Sequence, residues 1–220
     1  DKANIFFFFI SGDKLIVGVH VLGKVQNVNP PVAPLTAPPL PKELKLKIIG
    51  EHNKENASLA ALALRVLGLS GDEIKKGLES FEPVDGRLQK IAEIKGVTFY
   101  NDNNATTPDA TIAALKSFDS KVILIAGGAD KALLLDTLVQ EIVHRTSSVV
   151  LLPGTGTERL KKLLKNYKEA KTMSEAIAAV MVNAHPGDIV LFSPAFASFG
   201  LFKNEYDRND QFVEAVKKLQ

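Results

Sequence analysis

The chain has 220 residues, enough for one large or two small domains that each bury a core. Its 27 basic and 25 acidic residues are mixed along the sequence and leave a net charge of +2, so there is neither a basic stripe for nucleic acid nor an acidic tail, and small-molecule chemistry is favoured over polyanion binding. The absence of cysteine excludes a disulfide framework and a thiolate metal site, and fits a reducing compartment.

The chain opens on Asp1 and enters directly into an apolar strand pattern, which reads as a piece of something longer. The apolar run at 5–10 is too short to span a bilayer and lacks a basic flank or cleavage site, so a soluble cytoplasmic protein without a membrane partner is expected. Residues 4–11 and 14–22 read as strands joined by a hairpin turn at Ser11-Gly12-Asp13. Between Pro30 and Pro41 lie six of the eleven prolines, a composition that predicts an extended loop. The polar stretch His52-Asn53-Lys-Glu-Asn56 then precedes an Ala/Leu-rich helix at 57–67, apolar enough all round to be buried on most sides, and Gly68 closes it. A second helix runs from the Ser70 cap to about Ser80.

After Pro83 the pattern changes, and the segment 82–86 marks the expected domain boundary. Residues 87–94 and 97–100 predict a hairpin across Lys95-Gly96. Strands at 121–126, 148–152 and 188–192 then alternate with helices at 107–118, 134–145, 156–165, 173–184 and 208–219. That alternation argues for a parallel sheet covered on both faces.

Polar residues collect where strands end. The stretch 100–104 is an unbroken run of hydrogen-bonding side chains, followed by a helix start at Thr106-Thr107-Pro108. It reads either as an Asx-rich turn with a cap or as a ligand site in the crevice beyond a strand. Gly127-Gly128-Ala-Asp130-Lys131 follows another strand, where glycine N–H groups could approach an anion and Lys131 could pair with phosphate or carboxylate; an ordinary glycine turn with a surface lysine reads equally simply. Gly154-Thr-Gly156 invites a dinucleotide reading, but Arg159 stands where the third glycine belongs. Residues 193–208 again set small polar groups and Lys203 beyond a strand, so three strand ends converge on one rim. The four histidines, His20, His52, His144 and His185, lie far apart without metal-ligand spacing, and His144 and His185 read as helix-end residues. Neither a Ser/His/Asp order nor a cysteine nucleophile is present, which argues against covalent catalysis.

Five ordered motifs carry a resemblance across essentially the whole chain: His52-Asn53-Lys-Glu-Asn56, Gly86-Arg87-Leu, Asn101-Asp102-x-x-Ala105-Thr106-x-Pro108, Gly127-Gly128-x-Asp-Lys131, and Ser193-Pro-Ala-x-Ala-Ser198-Phe199-x-x-Phe202-Lys203-Asn204 with Arg208 and Phe212. Their order and spacing resemble the Mur ligase family, and within it the D-glutamate-adding branch of peptidoglycan synthesis. The Asp-Asn-Pro-Arg signature of the diaminopimelate-adding branch is absent. The fold this implies is α/β: a Rossmann-like, doubly wound, mostly parallel domain at 83–220, which takes the amino acid, preceded at 1–82 by the end portion of a P-loop-type central ATP-binding domain.

The resemblance implies ATP-dependent amide synthesis through an acyl phosphate, with ATP, D-glutamate and a UDP-sugar peptide as substrates, Mg²⁺ on the phosphates, and a monomeric protein. By the same comparison Asn53, Asn56, Arg87 and Asp102 would bind ATP, Asp102 through the ribose. Thr106, Lys131, Ser198 and Phe199 would hold D-glutamate, with Lys131 the catalytic cation. No metal ligand is assigned. The chain departs from the family pattern in Asn103-Asn104, where many relatives have Ser-Lys, in Gly86, where many have His, and in Asn209 for Gly. It contains no G-x-x-x-x-G-K-[ST] phosphate loop and no counterpart of the magnesium ligands, of the carbamylated lysine or of the UDP-binding domain. It is therefore expected to make no product alone. The alternatives are a non-catalytic truncated homologue that binds a nucleotide or amino acid, or another Mur- or folylpolyglutamate-type ligase.

Overall fold

The computed structural model describes residues 9–11, 14–17 and 34–36 as backbone strands and residues 37–220 with their side chains. The chain divides into two compact units, Asp1–Glu82 and Pro83–Gln220.

In the first unit β1 (Phe9–Ser11) and β2 (Lys14–Val17) pair antiparallel with Ser11 opposite Lys14, the register of the expected hairpin. Gly12 and Asp13, the outer parts of the two expected strands, and His20 lie outside the described residues. The proline segment is not all loop. Pro34–Thr36 forms β3, parallel to β2 at the sheet edge, and proline opens it, the position where a missing N–H costs no ladder bond.

Helix α1 (Glu51–Val66) starts earlier than the apolar pattern suggests and takes His52, Asn53 and Asn56 into its first turns. It is also less buried than expected: Ala57, Ser58 and Ala61 are its buried residues. Ser58 Oγ donates to the Pro38 carbonyl, and Gly68, at φ 93°, ends the helix as expected. Helix α2 (Gly71–Ser80) begins with a capping box in which Glu73 N–H donates to Ser70 Oγ and Glu73 Oε2 accepts from Ser70 N–H.

The second unit is a six-stranded sheet in the order β4-β5-β9-β6-β7-β8. The strands are β4 (Gln89–Ile94), β5 (Val97–Asn101), β6 (Val122–Ala126), β7 (Thr146–Leu151), β8 (Lys168–Glu169) and β9 (Ile189–Phe192). Only the β4-β5 hairpin is antiparallel, and Lys95 and Gly96, with φ of 52° and 77°, turn it. Helices α3 (Pro108–Leu115), α4 (Asp136–Arg145), α5 (Thr155–Lys161), α6 (Met173–Met181) and α7 (Glu205–Lys217) connect or follow the strands. The edge strand β8, two exposed residues of opposite charge, is absent from the sequence reading.

Strand alternation splits the core between the faces. Phe99, Ile123, Ile125, Val190 and Phe192 pack with Ile177 and Val180 of α6 and Phe212 and Val216 of α7. Leu124, Val149, Leu151 and Leu191 alternate to the opposite side, that of the buried Leu115 of α3 and Leu138 and Ile142 of α4. β6 is buried at every residue, as a central parallel strand must be. Because β9 returns to lie between β5 and β6, their carboxyl ends become neighbours and their loops share one rim.

Candidate functional site

The rim is stitched by main-chain hydrogen bonds before any side chain contributes. Gly127 N–H donates to the Pro194 carbonyl at 2.9 Å, Ala129 and Ala197 exchange bonds of 2.9 and 3.1 Å, and Ala195 N–H donates to Ala105 O at 2.9 Å. The loops after β5, β6 and β9 are thus one body. On it, Lys131 Nζ donates to Thr106 Oγ1 at 2.9 Å, bringing together a cation and a hydroxyl from different strand ends. Ser198 follows the bridged Ala197, is buried, and its hydroxyl makes no hydrogen bond among the described residues. Phe199 beside it is 65% exposed.

The glycines do something other than cradle an anion. Both N–H groups are spent inside the protein, Gly127 on Pro194 O and Gly128 on Thr157 Oγ1 at 3.0 Å. A Cβ at Gly127 would stand 2.3 Å from Leu152 O, one at Gly128 2.2 Å from Ala197 O, and one at Gly154 2.1 Å from Gly128 O. Backbone-to-backbone approach, with positive φ at all three, is what requires glycine there. The anion-cradle reading of Gly127-Gly128 is corrected accordingly.

Asp102 is buried. Its Oδ1 accepts from Leu88 N–H at 3.2 Å and its Oδ2 from Ser193 Oγ at 2.8 Å, with Thr111 Oγ1 2.9 Å beyond Ser193 Oγ. Burial raises its carboxyl to about 7, against the opposing pull of these two hydrogen bonds and of the Arg87 charge. Each oxygen thus accepts one hydrogen bond and keeps a further acceptor site, although little of the residue is open to solvent. Arg87 is exposed and forms no ion pair among the described residues. Asn53 and Asn56 lie on α1 in the first unit, where Asn53 Nδ2 donates to Ile49 O at 2.7 Å.

The departures at Asn103 and Asn104 acquire roles. Arg208 of α7 is fully buried: its Nε donates to Asn103 Oδ1 at 2.7 Å, Nη2 to Asn103 O at 2.8 Å and Nη1 to Phe196 O at 3.0 Å. Burial lowers its pKa to about 10, which keeps it cationic at neutral pH, and the Glu205 charge favours that cation. Asn103 in turn donates to Glu205 O at 3.0 Å, Asn104 Nδ2 to Asp85 O at 3.0 Å, and Asn101 Nδ2 to Asn209 Oδ1 at 2.8 Å. The sequence reading placed Arg208 in a motif without a role. Its signal was position: with Phe212 and Val216 it falls on the buried i, i+4, i+8 stripe of α7. His144 is exposed in the last turn of α4, and the His185 side chain is 82% exposed and 3.8 Å from Asp188, so neither joins the rim. Among the described residues no three His, Cys, Asp or Glu side chains cluster to hold a metal ion, and no helix is long and apolar enough to cross a membrane.

Comparison with known proteins agrees with this architecture. The family described as Mur ligase, glutamate ligase domain matches residues 86–196. The UDP-N-acetylmuramoylalanine--D-glutamate ligase of Roseiflexus sp. (strain RS-1) is 40% identical over 181 residues, 79% of this chain and 39% of that protein. Its namesake from Porphyromonas gingivalis (strain W83) is 36% identical over 199 residues, 89% of this chain and 42% of that protein. The chain therefore spans about 40% of the length of these relatives. Among solved structures, UDP-N-acetylmuramate-alanine ligase from Thermotoga maritima superimposes with a TM-score of 0.59 at 20% identity, covering 80% of this chain and 40% of that one. A MurF ligase from the same organism, in complex with ADP, gives 0.54 at 20% identity over 78% of this chain and 40% of that one. These two likenesses show the fold, and the matched family domain with its rim of strand-end loops shows the rest: the chain belongs to the Mur ligase family.

Proposed function

We propose that this chain is the amino-acid-binding portion, with the end of the central ATP-binding domain, of a monomeric cytoplasmic ligase that joins D-glutamate to UDP-N-acetylmuramoyl-L-alanine in peptidoglycan synthesis. Relatives at 36–40% identity carry that activity in their names. The observation that carries the reading to the residues is the Lys131–Thr106 hydrogen bond. A glutamate with two carboxylates needs a cation and several donors at its site, and Lys131, Thr106 and the free hydroxyl of Ser198 supply them on one rim. Phe199, exposed at the rim, would cover the aliphatic part of the ligand.

Within the second unit Arg87 and Asp102 would face a nucleotide. The exposed Arg87 guanidinium suits an anionic group, whereas the engaged glycine N–H groups do not serve as a phosphate cradle. Bound ATP supplies phosphoryl activation of the substrate carboxylate. Among the described residues no three His, Cys, Asp or Glu side chains cluster to hold magnesium. What this unit contributes is position: Lys131 and Thr106 hold and orient the incoming amino acid, which is worth far more to a two-substrate reaction than any proton transfer this rim could perform.

Calorimetry with D-glutamate tests the reading. Millimolar or tighter binding by the chain, discrimination against L-glutamate, and a loss of about tenfold or more in Lys131→Ala are expected. No binding by the unmodified chain, or equal binding of the two enantiomers, refutes it.

A further inference from the structure

Arg159, the residue that spoils the Gly154-Thr-Gly156 fingerprint, has a definite task in the fold. From α5 its Nη1 donates to Asp130 Oδ1 at 2.6 Å and its Nη2 to the Leu133 carbonyl at 3.0 Å. Thr155 Oγ1 accepts from Asp130 N–H at 3.0 Å, adding a third tie to the same loop. Between the two points that Arg159 grips lie Lys131 and Ala132, and Ala132 sits at φ 57°, a conformation that L-residues rarely enter. We propose that Arg159 is a positioning residue for Lys131: it occupies the Asp130 carboxylate that would otherwise capture the lysine's ammonium and draw it from Thr106.

The charge arrangement carries that statement. Asp130 adjoins Lys131 in the chain, yet Asp130 pairs with Arg159, and Lys131 bonds the neutral Thr106 hydroxyl and forms no ion pair among the described residues. An ammonium bound to a hydroxyl keeps its full charge for an incoming anion. One already paired with a carboxylate must give up that pair first. The planar guanidinium suits the task, because its fork reaches a carboxylate and a carbonyl at once, which a lysine at the same position could not do. With side-chain exposures of 40% and 24%, the Arg159–Asp130 pair adds little to stability, so its effect falls on Lys131 rather than on the fold.

The test reads Lys131 directly, by the ¹⁵N resonance of its ammonium, identified through its loss in Lys131→Gln. Four forms of the 220-residue chain are compared: unmodified, Arg159→Gln, Asp130→Asn and the double variant. The resonance is expected to move toward that of a carboxylate-paired lysine in Arg159→Gln alone and to return in the double variant, where no carboxylate remains to compete. Asp130→Asn should leave it in place, since the amide oxygen still accepts from Arg159. The unfolding midpoint should stay the same in all four. A resonance unmoved in Arg159→Gln, or still displaced in the double variant, overturns the proposal. D-glutamate calorimetry on the same forms reads the consequence and rests on the proposed function: about tenfold weaker binding in Arg159→Gln, restored in the double variant. Affinity unchanged in Arg159→Gln overturns the positioning role. If the unmodified chain fails to bind D-glutamate while the ammonium pattern holds, the substrate reading falls and the role of Arg159 stands.

Discussion

Asp102 shows how one residue can carry both structure and chemistry. Burial raises its carboxyl from an ordinary 3.8 to about 7, so between those values the folded chain keeps a proton that the unfolded chain has released. The stability this group contributes is therefore full below about pH 4, declines by about 1.4 kcal/mol per pH unit as the pH rises, and is flat again above about pH 7, a total of about 4 kcal/mol. Asp102→Asn removes the titration while keeping acceptors and donors for Leu88 and Ser193. Urea unfolding at pH 4, 5.5, 7 and 8 should show the variant gaining on the unmodified chain across the acidic range and no further above neutrality. A difference between the two that stays constant from pH 4 to 8 would mean that the carboxyl is ionised throughout, and the opposite slope that folding lowers its pKa. Sequence alone put Asp102 beside the nucleotide, but it could not show that Ser193 and the Leu88 amide already hold both oxygens. Those partners lie 91 and 14 residues away along the chain.

At the scale of elements, α7 serves as a brace for two loops. Arg208 reaches from its buried stripe to Asn103 in the loop after β5 and to Phe196 in the loop after β9, the loops that also present Thr106 and Ser198. Removing the guanidinium strands three buried acceptors, each costing about 1–3 kcal/mol. Arg208→Met is thus expected to lower unfolding free energy by about 3 kcal/mol or more, and Arg208→Lys, which keeps the charge and loses the fork, by about 2 kcal/mol. Urea unfolding of the two variants measures this, and stability equal to the unmodified chain would remove the brace. The elements that were legible are those whose local chemistry is unambiguous: the all-apolar β6, the hairpin at Lys95-Gly96, and α3 with its Thr107 cap and Pro108. Helix α1 was placed too late because its first turns are polar, and polarity without an apolar stripe gives no helical signal. The glycines were misjudged because a glycine kept for a neighbouring carbonyl and one kept for a phosphate look the same in sequence.

For the molecule as a whole, the second unit holds every residue of the proposed amino-acid site. Its two-faced core is complete within Pro83–Gln220, and Thr106, Lys131, Asp130, Arg159, Ser198 and Arg208 all lie in it. A chain beginning at Pro83 is therefore expected to unfold cooperatively by itself and to bind D-glutamate within about threefold of the longer chain, a difference below 1 kcal/mol. Amide exchange in that fragment should be slowest in β6 and β9, the strands flanked on both sides and buried at the sheet centre, and fastest in β8. Circular dichroism in urea and calorimetry measure the first two outcomes. A fragment that is unfolded would make the first unit part of this core. One that folds but loses affinity would show that the proposed amino-acid site draws on residues before Pro83 as well as on Lys131, Thr106 and Ser198.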